Sequence, residues 1–214
     1  MTADGRGLAE QTGSDLAEQT GSDLADQTGG QVGWFRRALA ACAKRWPTLL
    51  AVAITALTWG GAPLQALAQA LLLFPLGYLA VSATGRRRIS WPAAVLGIAA
   101  LAALRVQDHT NPALVLILSG AVLVVCAMVW RRFWPPGDGL IQAFGWLAFV
   151  LLALLSVAVS PQVGKFVLAA GWLGHAVWDY YHWRADKGVS RSFAEWCGVF
   201  DLLGAIAILA YPAT

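Results

Sequence analysis

Seven long apolar runs dominate the sequence and restrict the folds open to it. They cover residues 47–62, 63–84, 90–106, 112–130, 139–159, 163–183 and 192–211. A membrane-spanning helix needs about 20 mostly apolar residues, and most of the runs are close to that length. Hydrophobic residues make up 58% of the 214-residue chain, and charged residues only 13%. Because a soluble core does not need so much apolar sequence, we predict an all-α integral membrane protein with seven transmembrane helices.

Basic residues cluster at alternate ends of the runs. The clusters are Arg36, Arg37, Lys44 and Arg45 before the first run; Arg86, Arg87 and Arg88 after the second; Arg131 and Arg132 after the fourth; and Arg184, Lys187 and Arg191 after the sixth. Arg105 and Lys165 are exceptions in the alternate loops. Since cytoplasmic loops are enriched in Lys and Arg, this pattern predicts a cytoplasmic N-terminus and an external C-terminus in the cell's inner (plasma) membrane. It does not indicate nucleic-acid binding, because the cations lie at span ends.

The segment before the first run divides into two predicted parts. Residues 1–32 contain the tandem octads LAEQTGSD, LAEQTGSD and LADQTGGQ. An eight-residue period matches neither a helix nor a coiled coil, and the octads offer little apolar surface, so we expect a disordered tail. Residues 33–46, which include WFRRALAACAKR, are typical of an amphipathic helix lying on an anionic membrane surface. The transmembrane domain then occupies residues 47–214.

Titratable residues within the runs concentrate in the last two. The sixth run contains GWLGHAVWDYYHWR, and the seventh contains SFAEWCGVFDLLGA. His175, Asp179 and His182 have helical spacings of four and three, so they form one stripe on a helix face. Asp201 lies at a depth where it can face His175, and Glu195 lies near His182. Ionisable groups inside a membrane are expensive, so this group is a candidate functional site.

Three chemical interpretations of the stripe compete. In the first, the chain is an enzyme acting on a lipid or isoprenoid, in which Asp179 orients the histidines and Asp201 donates a proton. In the second, ligands from His175, Asp179, His182 and Asp201 bind a metal ion such as zinc or magnesium, as in a zinc-dependent membrane lipid hydrolase. Because the two histidines are about 10 Å apart along a helix, the favoured set is Asp179 and Asp201 with one histidine, or Asp179 bridging two ions. In the third, the same groups relay protons in a small transporter. The enzyme interpretations are favoured, because paired broken helices typical of transporters are missing from the sequence.

Aromatic residues crowd the same two runs and predict a pocket for a hydrophobic substrate. The predicted lining residues are Trp172, Trp178, Tyr181, Trp196 and Phe200.

The structural alternative is that His175 and Asp179 form a buried hydrogen-bonded pair that joins the last two helices of a non-catalytic membrane scaffold. Glu195 stands three residues after Ser192, which is the spacing of a capping box, and so has a structural interpretation of its own.

The architecture is similar to that of the alkaline ceramidase and adiponectin-receptor superfamily. That resemblance implies a zinc site and hydrolysis of a lipid amide, but the second run offers Ser82 without the histidine that accompanies the serine in that superfamily. The chain is also similar in size to seven-helix membrane terpenoid cyclases, although it lacks their early-helix glutamate. Both resemblances are limited to architecture.

One predicted cytoplasmic turn has a further basic feature. The sequence WRRFWPPGDG ends the fourth run, and its two prolines and first glycine stop the helix. Arg131 and Arg132 in this turn are placed to bind anionic lipid headgroups.

Overall fold

The computed structural model describes residues 34, 36–58, 62–107, 109–134 and 138–210. The predicted repeat tail, residues 1–32, lies outside the described residues. Residues 36–44 are helical, within the segment predicted to lie on the membrane surface; that location stays a prediction. The chain divides into two compact units between Trp46 and Pro47.

Seven α-helices occur in the described part of residues 46–210. They are α1 (Trp46–Thr58), α2 (Leu64–Thr84), α3 (Ser90–Arg105), α4 (Pro112–Val129), α5 (Gly139–Ala158), α6 (Pro161–Ala185) and α7 (Arg191–Ala210), and a 3-10 turn at Arg87–Ile89 precedes α3. The described residues include no β-strand. Over these residues the prediction of an all-helical protein is confirmed.

Five of these helices, α2, α3, α4, α5 and α7, are long and apolar enough to cross a membrane; for α3 the 3-10 turn is included. Helix α1 has 13 residues, which is short of the usual span. Helix α6 has 25 residues, but its polar stripe lowers its hydropathy. Seven full crossings therefore stay a prediction.

Local sequence explains where several helices begin and end. Helix α2 ends at Gly85, whose φ of 66° is left-handed and whose N–H bonds to the carbonyl of Val81. Helix α4 begins at Pro112, and the side chain of Asn111 accepts hydrogen bonds from two backbone N–H groups of the first turn. Helix α6 ends at Asp186, which is also left-handed. These caps set the helix lengths and hence the positions of the connecting turns.

Helix α2 is central to the bundle and contacts α3, α4, α5 and α6. Of its most apolar window, 72% is buried, against 11% for α3 and 17% for α4. Helices α3 and α4 instead present apolar side chains outward; Leu96 and Val129 are each 70% exposed. Such surfaces are unfavourable in water and suit contact with lipid. Helix α6 lies between α5 and α7 and packs against both.

The α2–α3, α4–α5 and α6–α7 connections meet at one end of the bundle, which we call the arginine end. The guanidinium group of Arg87 donates to the carbonyl of Val189 at 2.8 and 3.0 Å. Ser82 Oγ donates to Asp138 Oδ1 at 2.8 Å. These bonds bring together segments that are far apart in sequence, and they surround the end of α6 that carries His182.

Candidate polar sites in the helix bundle

Four polar side chains from three helices form a hydrogen-bonded group that we call the inner cluster: Tyr78, His175, Asp179 and Asp201. His175 and Asp179 stand one turn apart on α6, with His175 Nδ1 3.1 Å from Asp179 Oδ2. Asp201 on α7 places Oδ2 2.6 Å from the same His175 nitrogen. The hydroxyl of Tyr78 on α2 donates to Asp179 Oδ1. The cluster therefore joins α2, α6 and α7.

The inner cluster is sealed from its surroundings. His175, Asp179 and Asp201 have 0% relative exposure, and Tyr78 has 2%. The ring of Phe149 packs edge-on against His175 with ring centroids 4.8 Å apart, and Phe74 lies at 6.0 Å. Because burying polar groups is costly unless they are paired, the bonds within the cluster are needed for the helices to pack in this way.

The atoms of the inner cluster can share a proton or hold a small cation. One imidazole nitrogen faces two carboxylate oxygens, so a single N–H at His175 Nδ1 serves both Asp179 and Asp201. The three residues each offer a ligand atom, and these atoms lie within 4.8 Å of one another. An imidazole nitrogen with two carboxylate oxygens is a donor set that suits zinc, and carboxylate oxygens also suit magnesium. Among the described residues, His175 Nε2 and Asp201 Oδ1 have no hydrogen-bond partner.

His182 belongs to a different site, although it shares the helix face. Its Nδ1 donates to the carbonyl of Trp178 at 2.8 Å, so Nε2 of the neutral ring is free to accept from the Gln142 amide at 2.9 Å. Seven residues separate it from His175, which is about 10 Å along a helix. The predicted stripe is therefore split, and His182 does not join the three grouped candidate metal ligands.

His182 lies in an open cavity at the arginine end that we call the polar cleft. Its volume is about 610 Å³, and Gln142 and Ser82 also line it. The charged lining residues are Arg87, Arg131, Arg132, Lys187, Asp138 and Asp186. Arg87 donates to Asp186 at 2.6 Å, and this bond holds the pKa of the Asp186 carboxyl below its usual value. Cations therefore outnumber carboxylates in the polar cleft.

Glu195 lies apart from both sites. It sits in the second turn of α7 and accepts a hydrogen bond at 2.6 Å from Thr48 Oγ1 in α1. This contact ties the short first helix to the last one. The contact is structural, but it is not the predicted capping box, because α7 already begins at Arg191 and Ser192 lies inside the helix.

The five aromatic residues predicted to line one pocket are distributed over three places. Trp172, Trp196 and Phe200 line an apolar cavity of about 360 Å³ between α1, α2, α3, α6 and α7. Trp178 packs against the ring of His182 at 5.0 Å, and Tyr181 lines the polar cleft. The side chains do not enclose a single substrate pocket in the described residues.

Tyr78 and Gln142 were not anticipated from the sequence. Tyr78 lies within the apolar run LLLFPLGYLAV, and Gln142 within GLIQAFGW, so each is an isolated polar group inside a span. Such a group must find a partner in a bundle without water, which is the signal that could have identified both residues. The sequence does not indicate which helix supplies that partner.

Comparisons with known proteins give one informative similarity. No known protein family matches the sequence, and no solved structure matches it. Over 100 residues the chain is 26% identical to cold-regulated 413 plasma membrane protein 4 of Arabidopsis thaliana. The match covers 44% of this chain and 47% of that protein, so it spans about half the length of the relative. The predicted membrane location is confirmed by the name of this relative together with the apolar helices.

The prediction of an enzyme acting on a lipid or isoprenoid through His175, Asp179, His182 and Asp201 is wrong. The relative is named for cold regulation and for the plasma membrane, and its name states no reaction. The similarity favours the alternative of a non-catalytic membrane protein. The geometry gives a physical reason: His175, Asp179 and Asp201 have no exposed surface that a substrate could touch, and His182 lies elsewhere.

Proposed function

We propose that the chain is a non-catalytic, multi-pass scaffold protein of the plasma membrane, in which the inner cluster locks α2, α6 and α7 into one arrangement. The observation that carries this proposal is the complete burial of hydrogen-bonded groups contributed by three helices. Apolar helices have no hydrophobic reason to associate in lipid, so polar contacts and close packing decide how they pair. The name of the plant relative supports both the location and a role linked to cold.

Close helix approaches support the same role. A Cβ atom added at Gly198 of α7 would lie 3.2 Å from Asp179 Cβ of α6, beside the inner cluster. A Cβ at Gly171 of α6 would lie 2.6 Å from a methyl group of Leu71 in α2. Small residues that let helix backbones approach closely are typical of helix association in membranes. The packing around the cluster is therefore tight as well as polar.

The proposed topology has seven crossings with the arginine end in the cytoplasm. Helix α6 directs its polar residues toward α2, α5 and α7 rather than toward lipid, which allows a helix of low hydropathy to span. Helix α1 is short but is tied to α7 through Thr48. The cations of the arginine end follow the rule that cytoplasmic loops are basic.

Cysteine labelling tests this topology. Single cysteines replace Arg88 or Lys187 at the arginine end, and Val106 or Gln162 at the opposite end, in a variant without the three native cysteines. A membrane-impermeant maleimide added to intact cells should label only the positions at the opposite end. Labelling of Arg88→Cys from outside would show that the orientation is the reverse of the proposed one. Labelling of Gln162→Cys and Lys187→Cys from the same side would show that α6 does not cross the membrane.

A complementation experiment tests the non-catalytic role. We expect the protein to accumulate after a shift to low temperature and its deletion to slow growth in the cold. Variants of the inner cluster should then restore growth in proportion to the amount of folded protein, measured by fluorescence-detected size exclusion. Asp201→Asn keeps the shape of the side chain and is the informative variant. If it accumulates at the wild-type level but does not restore growth, the carboxyl performs chemistry and the scaffold proposal fails.

A further inference from the structure

The polar cleft has the size and position of a site for a small polar ligand at the membrane surface. Its volume of about 610 Å³ is within the ~300–1,000 Å³ typical of ligand pockets. The α2–α3, α4–α5 and α6–α7 connections all contribute to its walls. These connections lie at the ends of membrane-spanning helices, where lipid headgroups reside.

The charges of the polar cleft are only partly matched within the protein. Asp186 is paired with Arg87, and Asp138 accepts hydrogen bonds from Ser82 at 2.8 Å and from Gln142 at 3.4 Å. Arg131, Arg132 and Lys187 also line the cleft, and none of them has an ion-pair partner among the described residues. Three cations thus remain available to an anion.

Arg132 is held over the cleft by the shape of the neighbouring turn. Its guanidinium group lies against Gly85, where an added Cβ atom would be 2.9 Å from Arg132 Cζ. One of its nitrogens lies 3.5 Å from the carbonyl oxygen of Thr84. Gly85 has a left-handed φ of 66°, so the conformation of this turn favours glycine. The guanidinium group of Arg132 is exposed and lies beside the cleft.

An unpartnered hydrogen-bond acceptor of the protein indicates that the ligand carries a hydroxyl group. Gln142 is 2% exposed and lines the cleft, and its Oε1 atom has no hydrogen-bond partner among the described residues. Its amide nitrogen already donates to His182 and Asp138. This oxygen has almost no accessible surface, so it can accept a hydrogen bond from a ligand hydroxyl after the side chain shifts toward the cavity; an inorganic anion without a proton would not supply that bond.

We propose that the polar cleft binds the headgroup of an anionic phospholipid that carries a hydroxyl group, with its phosphate at Arg132 and Lys187 and its hydroxyl toward Gln142. The rim supports a lipid rather than a soluble phosphate compound. Ile141, Trp134 and Tyr181 line the cleft and are 56–60% exposed, which is the mixture of aliphatic and aromatic side chains expected beside acyl chains at the interface. Clustered cations at a cytoplasmic membrane surface attract anionic lipids.

Lipid binding to the purified full chain in detergent tests this proposal, with native mass spectrometry as the readout. Phosphatidylglycerol is the probe, and phosphatidylcholine is the uncharged comparison. Arg132→Gln combined with Lys187→Gln removes two cleft cations, and Arg86→Gln combined with Arg88→Gln is the matched control. Arg86 and Arg88 are exposed at the same end but do not line the cleft. We expect phosphatidylglycerol affinity to fall roughly fivefold for each cleft cation removed, and to change little in the control.

Two further binding measurements identify the chemical class of the ligand. Phosphatidylmethanol has the same charge as phosphatidylglycerol but no headgroup hydroxyl, and the wild-type chain should bind it more weakly. Glycerol 1-phosphate should not displace phosphatidylglycerol at equal concentration. Equal losses of affinity in both double variants would overturn the proposal by showing general charge attraction. Effective displacement by glycerol 1-phosphate would overturn a lipid as the ligand, and equal binding of the two anionic lipids would overturn the role of Gln142.

Discussion

The inner cluster and the polar cleft are neighbouring polar sites with opposite characters. Tyr78 and Ser82 stand one turn apart on α2, yet the first belongs to the cluster and the second to the cleft. The cluster is fully buried and its groups bond to one another. The cleft is open and its cations outnumber its carboxylates. A short distance along the same helices thus separates groups that hold the fold together from groups that face a ligand.

This difference shows how one helix can serve two purposes. Where α6 is enclosed by α2 and α7, most polar atoms bond to one another, because no water replaces a lost partner; His175 Nε2 and Asp201 Oδ1 are the exceptions among the described residues of the cluster. Where α6 emerges at the arginine end, the turns leave an open cavity, and three of its lining cations have no ion-pair partner among the described residues. Perturbing the cluster should therefore affect stability, whereas perturbing the cleft should affect binding.

The largest effect is expected from Asp179→Ala, because it leaves both Tyr78 and His175 buried without this partner. Breaking a buried charged pair typically costs roughly 3–5 kcal/mol. We expect a correspondingly large fall in the free energy of unfolding, measured by titration from mild detergent into SDS. Asp186→Ala is the matched control, since that carboxylate is 60% exposed. Similar losses in the two variants would remove the distinction between cluster and surface.

Gly188→Ala should disturb the cleft while leaving the inner cluster intact. Gly188 has a φ of 69°, and an added Cβ atom would lie 2.9 Å from His182 Cδ2. Strain of this kind costs roughly 1–3 kcal/mol. We expect a moderate loss of thermal stability together with weaker phosphatidylglycerol binding. Gly174→Ala serves as the control, because its added Cβ would meet Phe149 at an ordinary 3.7 Å. Unchanged lipid binding in Gly188→Ala would show that the part of the cleft around His182 does not contribute to the ligand site.

Tyr78→Phe should have a smaller effect that isolates one hydrogen bond. The ring and its packing remain, but Asp179 Oδ1 loses its donor. Interhelical hydrogen bonds in membranes contribute about 1 kcal/mol, so a decrease of that size in unfolding free energy is expected. Tyr180→Phe is the comparison, because Tyr180 is 60% exposed. A change no larger than in Tyr180→Phe would show that α2 is held by packing alone.

The smallest effect concerns the exposed pair of Arg87 and Asp186. The hydrogen bond from Arg87 lowers the folded-state pKa of Asp186 from 3.8, so the pair stabilises the folded protein above that pH. This contribution should be lost as the pH falls through the lower folded-state pKa. Melting temperatures of the wild type and Asp186→Asn should therefore differ slightly at neutral pH and converge in acid. A difference that grows toward low pH would contradict this sign.

Hydropathy was sufficient to locate most of the helices. The predicted run 63–84 corresponds to Leu64–Thr84, and 112–130 to Pro112–Val129. The agreement arises because a backbone in lipid must satisfy its own hydrogen bonds, which makes an apolar segment of this length a helix. The predicted run 47–62 includes α1, Trp46–Thr58, and its residues 59–61 lie outside the described residues.

Helical spacing also placed His175 and Asp179 on one face, because residues four apart are neighbours on a helix. The partners of that face were harder to predict. Tyr78 is 101 residues from Asp179, and Gln142 is 40 residues from His182. Hydropathy does not specify which helices pack together or how each is rotated about its axis. The sequence therefore contains the polar groups but not their assignment to separate sites.

The sequence by itself determined that this is a multi-pass helical membrane protein and that its cations gather at alternate helix ends. It also showed that the His, Asp and Glu residues within the apolar runs all lie in the last two runs. The tertiary structure decided that His175 meets Asp201 and Tyr78, that His182 faces Gln142 in an open cleft, and that Glu195 binds Thr48. The physical reason is that hydropathy and helical spacing act within a segment. Helix rotation and neighbour choice depend on how small residues and polar partners on separate helices fit together.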